Sequence, residues 1–171
     1  MGDGMNIVAD FNIDDIIKKA TDSIADIIDD ILLAMQKACI DTVAAARSLP
    51  SPPVDMRGKP HQPNYIDDTG YLRGSIGYAI YKDGATIAEN FEGTENGNAG
   101  AEAAQGQAAA RNLAAEVAGH YSQGVVAVVV CGSEYAAAVE SNGYDVLTGS
   151  AKELGNIFKE YIAEVKNLYG L

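Results

Sequence analysis

The sequence predicts an α+β fold in one domain spanning 1–171, and three observations carry that reading. Apolar residues step by four and three along 12–48, an Asp-Gly pair separates two apolar runs within 72–92, and a second helical stripe fills 150–169. These imply a long N-terminal helix and a small, mostly antiparallel sheet of three to four strands with a β-hairpin. A C-terminal helix packed on the sheet completes the arrangement. A chain of 171 residues is long enough to bury a real core.

The first stripe is Ile13, Ile17, Ala20, Ile24, Ile27, Ile31, Ala34 and Ala38, with Asp15, Asp22, Asp26 and Asp29 on the other side. Asn12 is placed to cap the helix, Asp14 and Asp15 suit its positive end, and Phe11 can staple onto Ile16. Leu49-Pro50 stops it. At ~1.5 Å per residue the helix is about 54 Å long, whereas a compact chain of this size is only about 40 Å across. Unless it kinks and folds both halves onto the chain's own core, the helix should overhang its domain and need cover from a neighbouring subunit.

All five prolines fall in LPSPPVDMRGKPHQP, so 49–66 reads as an extended loop carrying a small basic island at Arg57, Lys59 and His61. Thr69-Gly70 should turn the chain, with a strand beginning at Leu72. Asp83-Gly84 then makes a two-residue hairpin turn that sets Ile80 opposite Ile87, Ile76 opposite Phe91 and Tyr78 opposite Glu89. The other side of that ribbon holds small or polar groups such as Ser75, Gly77 and Thr86. Residues 93–123 are rich in Ala, Gly, Gln and Asn and read as an insertion. A helix over about 101–118 would have few large side chains to anchor it. VVAVVVC at 125–131 suits a central strand buried on both sides. A short helical piece and a turn at Asn142-Gly143 follow. The last helix starts at a Ser150/Glu153 capping box, repeats Leu154, Ile157, Phe158, Tyr161, Ile162, Val165 and Leu168 on one face, and stops at Gly170.

Composition narrows the function. A formal charge of −12 opposes gripping nucleic acid, since phosphate binding needs a basic footprint. It leaves open a surface that DNA merely slides past. The longest apolar run has seven residues, far short of a membrane span. The acidic start lacks a signal-peptide layout, and Cys39 and Cys131 sit in unrelated contexts, which fits two thiols. The expectation is a soluble protein made and kept inside a cell, or packaged into something assembled there.

Three motifs bear on chemistry. Asp68-Thr69-Gly70 matches the tripeptide of aspartic proteases, but no apolar strand precedes it. Bulky Tyr71 follows it, and Asp67 sets a like charge beside Asp68. Cys131-Gly132-Ser133 places a thiol at a strand end, yet no spacing ties His61 or His120 to it as a base. A small hydrolase using Cys131 or Asp68 is therefore the minor reading. An adaptor docking through the first helix is another. No Cys/His set has metal-ligand spacing and no phosphate loop or dinucleotide fingerprint is present, so no cofactor is expected.

Two segments, DTGYLRGSIGYAIYKDGATI (68–87) and VAVVVCGSEYAAAVESNGYDVL (126–147), carry a resemblance. Thr69, Gly70, Leu72, Arg73 and Ser75, then Tyr135, Ala136, Val139 and Glu140, resemble phage minor structural proteins of the head–tail connector and tail-completion family. The chain departs from that pattern at Ser141-Asn142-Gly143-Tyr144-Asp145 and in the 93–123 insertion. The resemblance implies a non-enzymatic virion protein, assembled in the bacterial cytoplasm as a homo-oligomeric ring. Its partners would be copies of itself and other phage neck or tail proteins. DNA could pass through such a ring without specific binding, and no membrane is involved. The candidate oligomer or partner interface is Ile13, Ile17, Ile24, Ile27 and Ile31 on the helix, with Arg73, Tyr135, Glu140, Tyr144 and Asp145. Arg73 and Glu140 are expected to be exposed charges, able to pair within or between subunits.

Overall fold

The computed structural model describes residues 12–49, 65, 67, 69–92 and 102–171. The fold is α+β. Its elements run α1 (Ile13–Arg47), α2 (Tyr71–Gly74), β1 (Ile76–Lys82), β2 (Ala85–Asn90), α3 (Ala103–Ala118), β3 (Val125–Cys131), α4 (Ala136–Ser141) and α5 (Thr148–Tyr169). Phe11 and most of the Pro-rich loop, including Arg57, Lys59 and His61, lie outside the described residues, as does Asp68.

α1 is one continuous helix of 35 residues, ~52 Å long. The Asn12 side chain accepts the Asp14 amide at 2.9 Å, and Asp14 and Asp15 occupy the positive end. At the far end, Arg73 Nη1 donates to the Arg47 carbonyl at 2.7 Å, so a cation satisfies a helix-terminal acceptor.

The sheet is antiparallel throughout, in the order β2-β1-β3. β1 is the central strand, buried along its length except at Lys82. The run VVAVVVC, expected at the centre, is an edge strand instead. It is apolar on both sides because helices cover both faces of the sheet: Val128 and Val130 pack with α3, while Ala127 and Val129 pack toward α1.

The Asp83-Gly84 turn forms as expected, with φ of 51° and 82°, the left-handed pair a tight hairpin requires. Asp83 also fastens the turn to the start of β3, its amide donating to the Gly124 carbonyl and its carboxylate accepting the Gly124 amide. The expected register does not hold. Tyr81 pairs Thr86 but Ile80 pairs Ala88, so a bulge inserts Ile87 as an extra residue and leaves it 45% exposed. Beyond the bulge Glu89 faces Ala79 and not Tyr78. Phe91 covers Gly77, where an added Cβ would lie 2.3 Å from the Phe91 ring, and does not face Ile76.

Two cores result. Ile76, Tyr78 and Ile80 on one face of β1 meet Cys39, Val43 and Ala46 of α1, with Leu72 and Val146. Ala79 and Tyr81 on the other face meet Phe91 and Ala110, Ala114 and Ala118 of α3. The expected insertion is thus the second cover of the sheet. It holds by proximity: a Cβ on Gly132 would meet the Ala110 backbone at 2.3 Å, and one on Gly106 the Tyr71 carbonyl at 2.3 Å. Small residues here let backbone touch backbone.

Thr69-Gly70 does turn the chain, with Gly70 at φ 77°, but Leu72 enters the single helical turn α2 and the strand starts at Ile76. α5 begins at Thr148, before the expected Ser150/Glu153 box, because other residues cap it. It runs antiparallel along α1, with the Tyr161 hydroxyl on Asp41 at 2.6 Å and Tyr169 on Asp30 at 2.7 Å, and Leu154 reaches the core beside the sheet. Gly170, at φ 68°, ends it.

Candidate functional site

Two candidate regions lie at opposite ends of α1, separated by the ~51 Å that its 1.5 Å rise gives from Ile13 to Arg47. At the N-terminal end every residue from Asn12 to Asp26 is exposed. Ile13 is 62% exposed, Ile17 58% and Ile24 58%, while Ile27 and Ile31 are half-buried where the helix approaches the body. The stripe that disappears into the body at Ala34 and Ala38 therefore runs bare for about four turns. Exposed isoleucines at this density are a surface that water solvates poorly.

At the C-terminal end, Arg47 and Arg73 form a buried junction. Arg47 donates through Nε and Nη2 to the Ile76 carbonyl at 3.1 and 2.6 Å, and through Nη1 to the Glu92 carbonyl at 2.8 Å. Arg73 sits over the Tyr65 ring, 4.9 Å from its centre. The Asp67 carboxylate accepts the amides of Leu72 and Arg73, at 3.3 and 2.9 Å, and so caps α2. Arg73 is buried rather than exposed, which corrects its assignment to an interface. The junction ties α1 to β1 and to the chain leaving β2.

Glu140 is likewise a structural joint. Its Oε1 accepts the amides of Val146, Leu147 and Thr148, and its Oε2 the Thr148 hydroxyl at 2.5 Å. Asp145 adds a bond from the Gly149 amide at 2.9 Å. Burial raises the Glu140 pKa, but the Thr148 hydroxyl and the three amides outweigh it and hold the carboxyl below its usual 4.5. Tyr144 packs against the first core. Tyr135 is 40% exposed and lies by Tyr71, ring centres 5.7 Å apart. Tyr135, Glu140, Tyr144 and Asp145 thus gather around the entry to α5, while the isoleucines stand apart on α1.

Cys131 and Glu140 line a shallow pocket of about 240 Å³ with Ala136, Val146, Leu147 and Thr148. The Cys131 sulfur lies 3.1 Å from the Ser75 hydroxyl and 3.8 Å from the Leu72 carbonyl. Burial pushes its thiol pKa up, against the opposing hydrogen bonds from Ser75 and the Ser133 amide. That direction disfavours the thiolate that nucleophilic chemistry needs. Cys39 is free and buried, its pKa raised to about 11 by burial. Among the described residues no group of His, Cys, Asp and Glu could hold a metal ion, and no helix is long and apolar enough to cross a membrane.

Arg47 and Asp67 escaped the sequence reading. A single Arg before Ser-Leu-Pro and one Asp of a pair carry no periodic signal. Comparison with family models, curated proteins and solved structures found no match to this chain.

Proposed function

We propose that this chain is a non-enzymatic structural subunit of a tailed-phage or prophage particle, a head–tail connector or tail-completion protein working as a homo-oligomeric ring. The observation that carries the reading is the N-terminal half of α1, whose apolar stripe stands exposed beyond the described body of the chain. Such a face is stable only against another protein surface. A ring closed by head-to-tail contacts is one assembly that supplies that surface repeatedly.

Two further features support it. The residues that carry the resemblance build joints of the fold: Thr69, Gly70, Leu72, Arg73 and Ser75 lead α2 into β1, and Glu140 caps α5. The charge of −12 suits a passage that lets DNA by without adhesion. The test is mass spectrometry of particles purified from a host carrying the gene. The protein should be found in intact particles at a fixed ratio to their neck or tail proteins, and its absence from them would sink the proposal. The same bare rod also suits an adaptor that docks on a different protein; light scattering on the purified chain separates a self-assembling subunit from that alternative.

A further inference from the structure

The bare rod has a seam. With Ile17, Ile24 and Ile31 at one heptad core position and Ile13, Ala20 and Ile27 at the other, the steps of four and three hold without interruption into the buried Ala34 and Ala38. The flanking positions between Ile16 and Ile28 are Ile16, Thr21, Ser23 and Ile28, and none is charged. The charges between Ile16 and Ile28, Lys18, Lys19, Asp22 and Asp26, fall on the outward positions, while Asp14 and Asp30 flank the two ends of the seam, Asp30 accepting the Tyr169 hydroxyl. A chain of net charge −12 repels its own copies over most approaches. Between Ile16 and Ile28 the strip itself carries no charge, so the like charges nearest its centre point away from a second copy.

The two polar residues in the strip are already satisfied. Thr21 donates its hydroxyl to the Ile17 carbonyl and Ser23 to the Lys19 carbonyl, each at 2.9 Å within the helix. Burying either strands no donor, so the usual cost of covering a hydroxyl is absent. Ile16 and Ile28, 54% and 44% exposed, broaden the strip on both flanks. A broad strip lets each helix touch a neighbour on either side, and isoleucine at both core positions favours more than two strands.

From these observations we infer that the occupant of the bare half of α1 is the same half of further copies of this chain, packed in parallel as a multi-helix seam. This rests on the self-assembly reading above and names the surface that performs it. The experiment uses the full chain in light scattering, beside Ile24→Asp on the seam and Ala25→Asp on the exposed outward side. Wild type and Ala25→Asp should be oligomeric. Ile24→Asp should weaken association by roughly 100-fold or more, the scale expected for an unpaired carboxylate in a closed apolar contact. Ile24 is exposed in the single chain, so its replacement leaves the body folded, which far-UV circular dichroism verifies. Ile17→Cys should form an interchain disulfide with the same residue of another copy on oxidation, and failure to do so overturns the parallel arrangement. An oligomer that survives Ile24→Asp overturns the seam while self-assembly stands. A monomeric wild type overturns the seam too, and the particle analysis then decides the structural role by itself.

Discussion

The two faces of the sheet are buried by opposite means. On the α1 face, Ile76, Tyr78, Ile80 and Leu72 fill the space with large side chains, and Arg47 reaches across to bond the Ile76 carbonyl. On the α3 face, Tyr81, Phe91, Val128 and Val130 of the sheet side meet a helix of small residues, and where Ala110 passes Gly132 the backbones themselves touch. The first face is therefore sensitive to volume removed, and the α3 helix contact of the second to volume added. Similar burial conceals different tolerances.

The sharpest break is Ile80→Ala, which empties a position 1% exposed on the α1 face and should cost about 4 kcal/mol in urea unfolding. Arg47→Met comes next. It keeps much of the stem but leaves the Ile76 and Glu92 carbonyls without their charged donor, for about 3 kcal/mol by the same measurement. On the α3 face the order inverts: Gly132→Ala, a gain of one methyl, should cost about 2 kcal/mol because the Ala110 backbone must move. Ala114→Gly, a loss of one methyl, should cost only about 1 kcal/mol, chiefly helix propensity. Equal costs for those last two would break the comparison.

An equally small effect is expected at the entry to α5, which joins the α1 side. Glu140→Ala removes its cap and should cost about 1 kcal/mol near neutral pH. Hydrogen exchange should rise in the first turn of α5 and remain unchanged in α3. Since the folded carboxyl titrates below its usual 4.5, the contribution is present above that value and fades as pH falls through the folded-state value. The wild-type advantage over Glu140→Ala should shrink in acid, and a gap independent of pH would contradict the capping role.

The pattern of legibility follows from what each device leaves in a sequence. α1 was readable because the 3.5-residue recurrence of isoleucine has one physical meaning, and the Asp83-Gly84 turn because few residues adopt its backbone angles. The register was not, since Ile87 looks like any alternating strand residue and the bulge that displaces it has no side-chain mark. α3 forms where a helix over about 101–118 is expected, but its role as a cover of the sheet was hidden for a related reason. Its stripe of Ala103, Gly106, Ala110, Ala114 and Ala118 binds by being small, and smallness gives weak apolar contrast. At the candidate site the isoleucines could be found from spacing, whereas Arg73 and Glu140 read as surface charges because the Arg47 carbonyl and the amides at the entry to α5 that they bond leave no mark in a string of letters.

The grip of Arg47 gives α1 a mechanical character. A stiff rod held over its inner half by α5, β1 and the chain after β2, and open at its outer end, has the geometry of a lever whose fulcrum is the body of the subunit. A tilt at Ile13 would meet α5 first, through Tyr169 on Asp30 and Tyr161 on Asp41, and then the Arg47 junction with the middle strand. Strain gathered at the tip would be felt at the heart of the subunit.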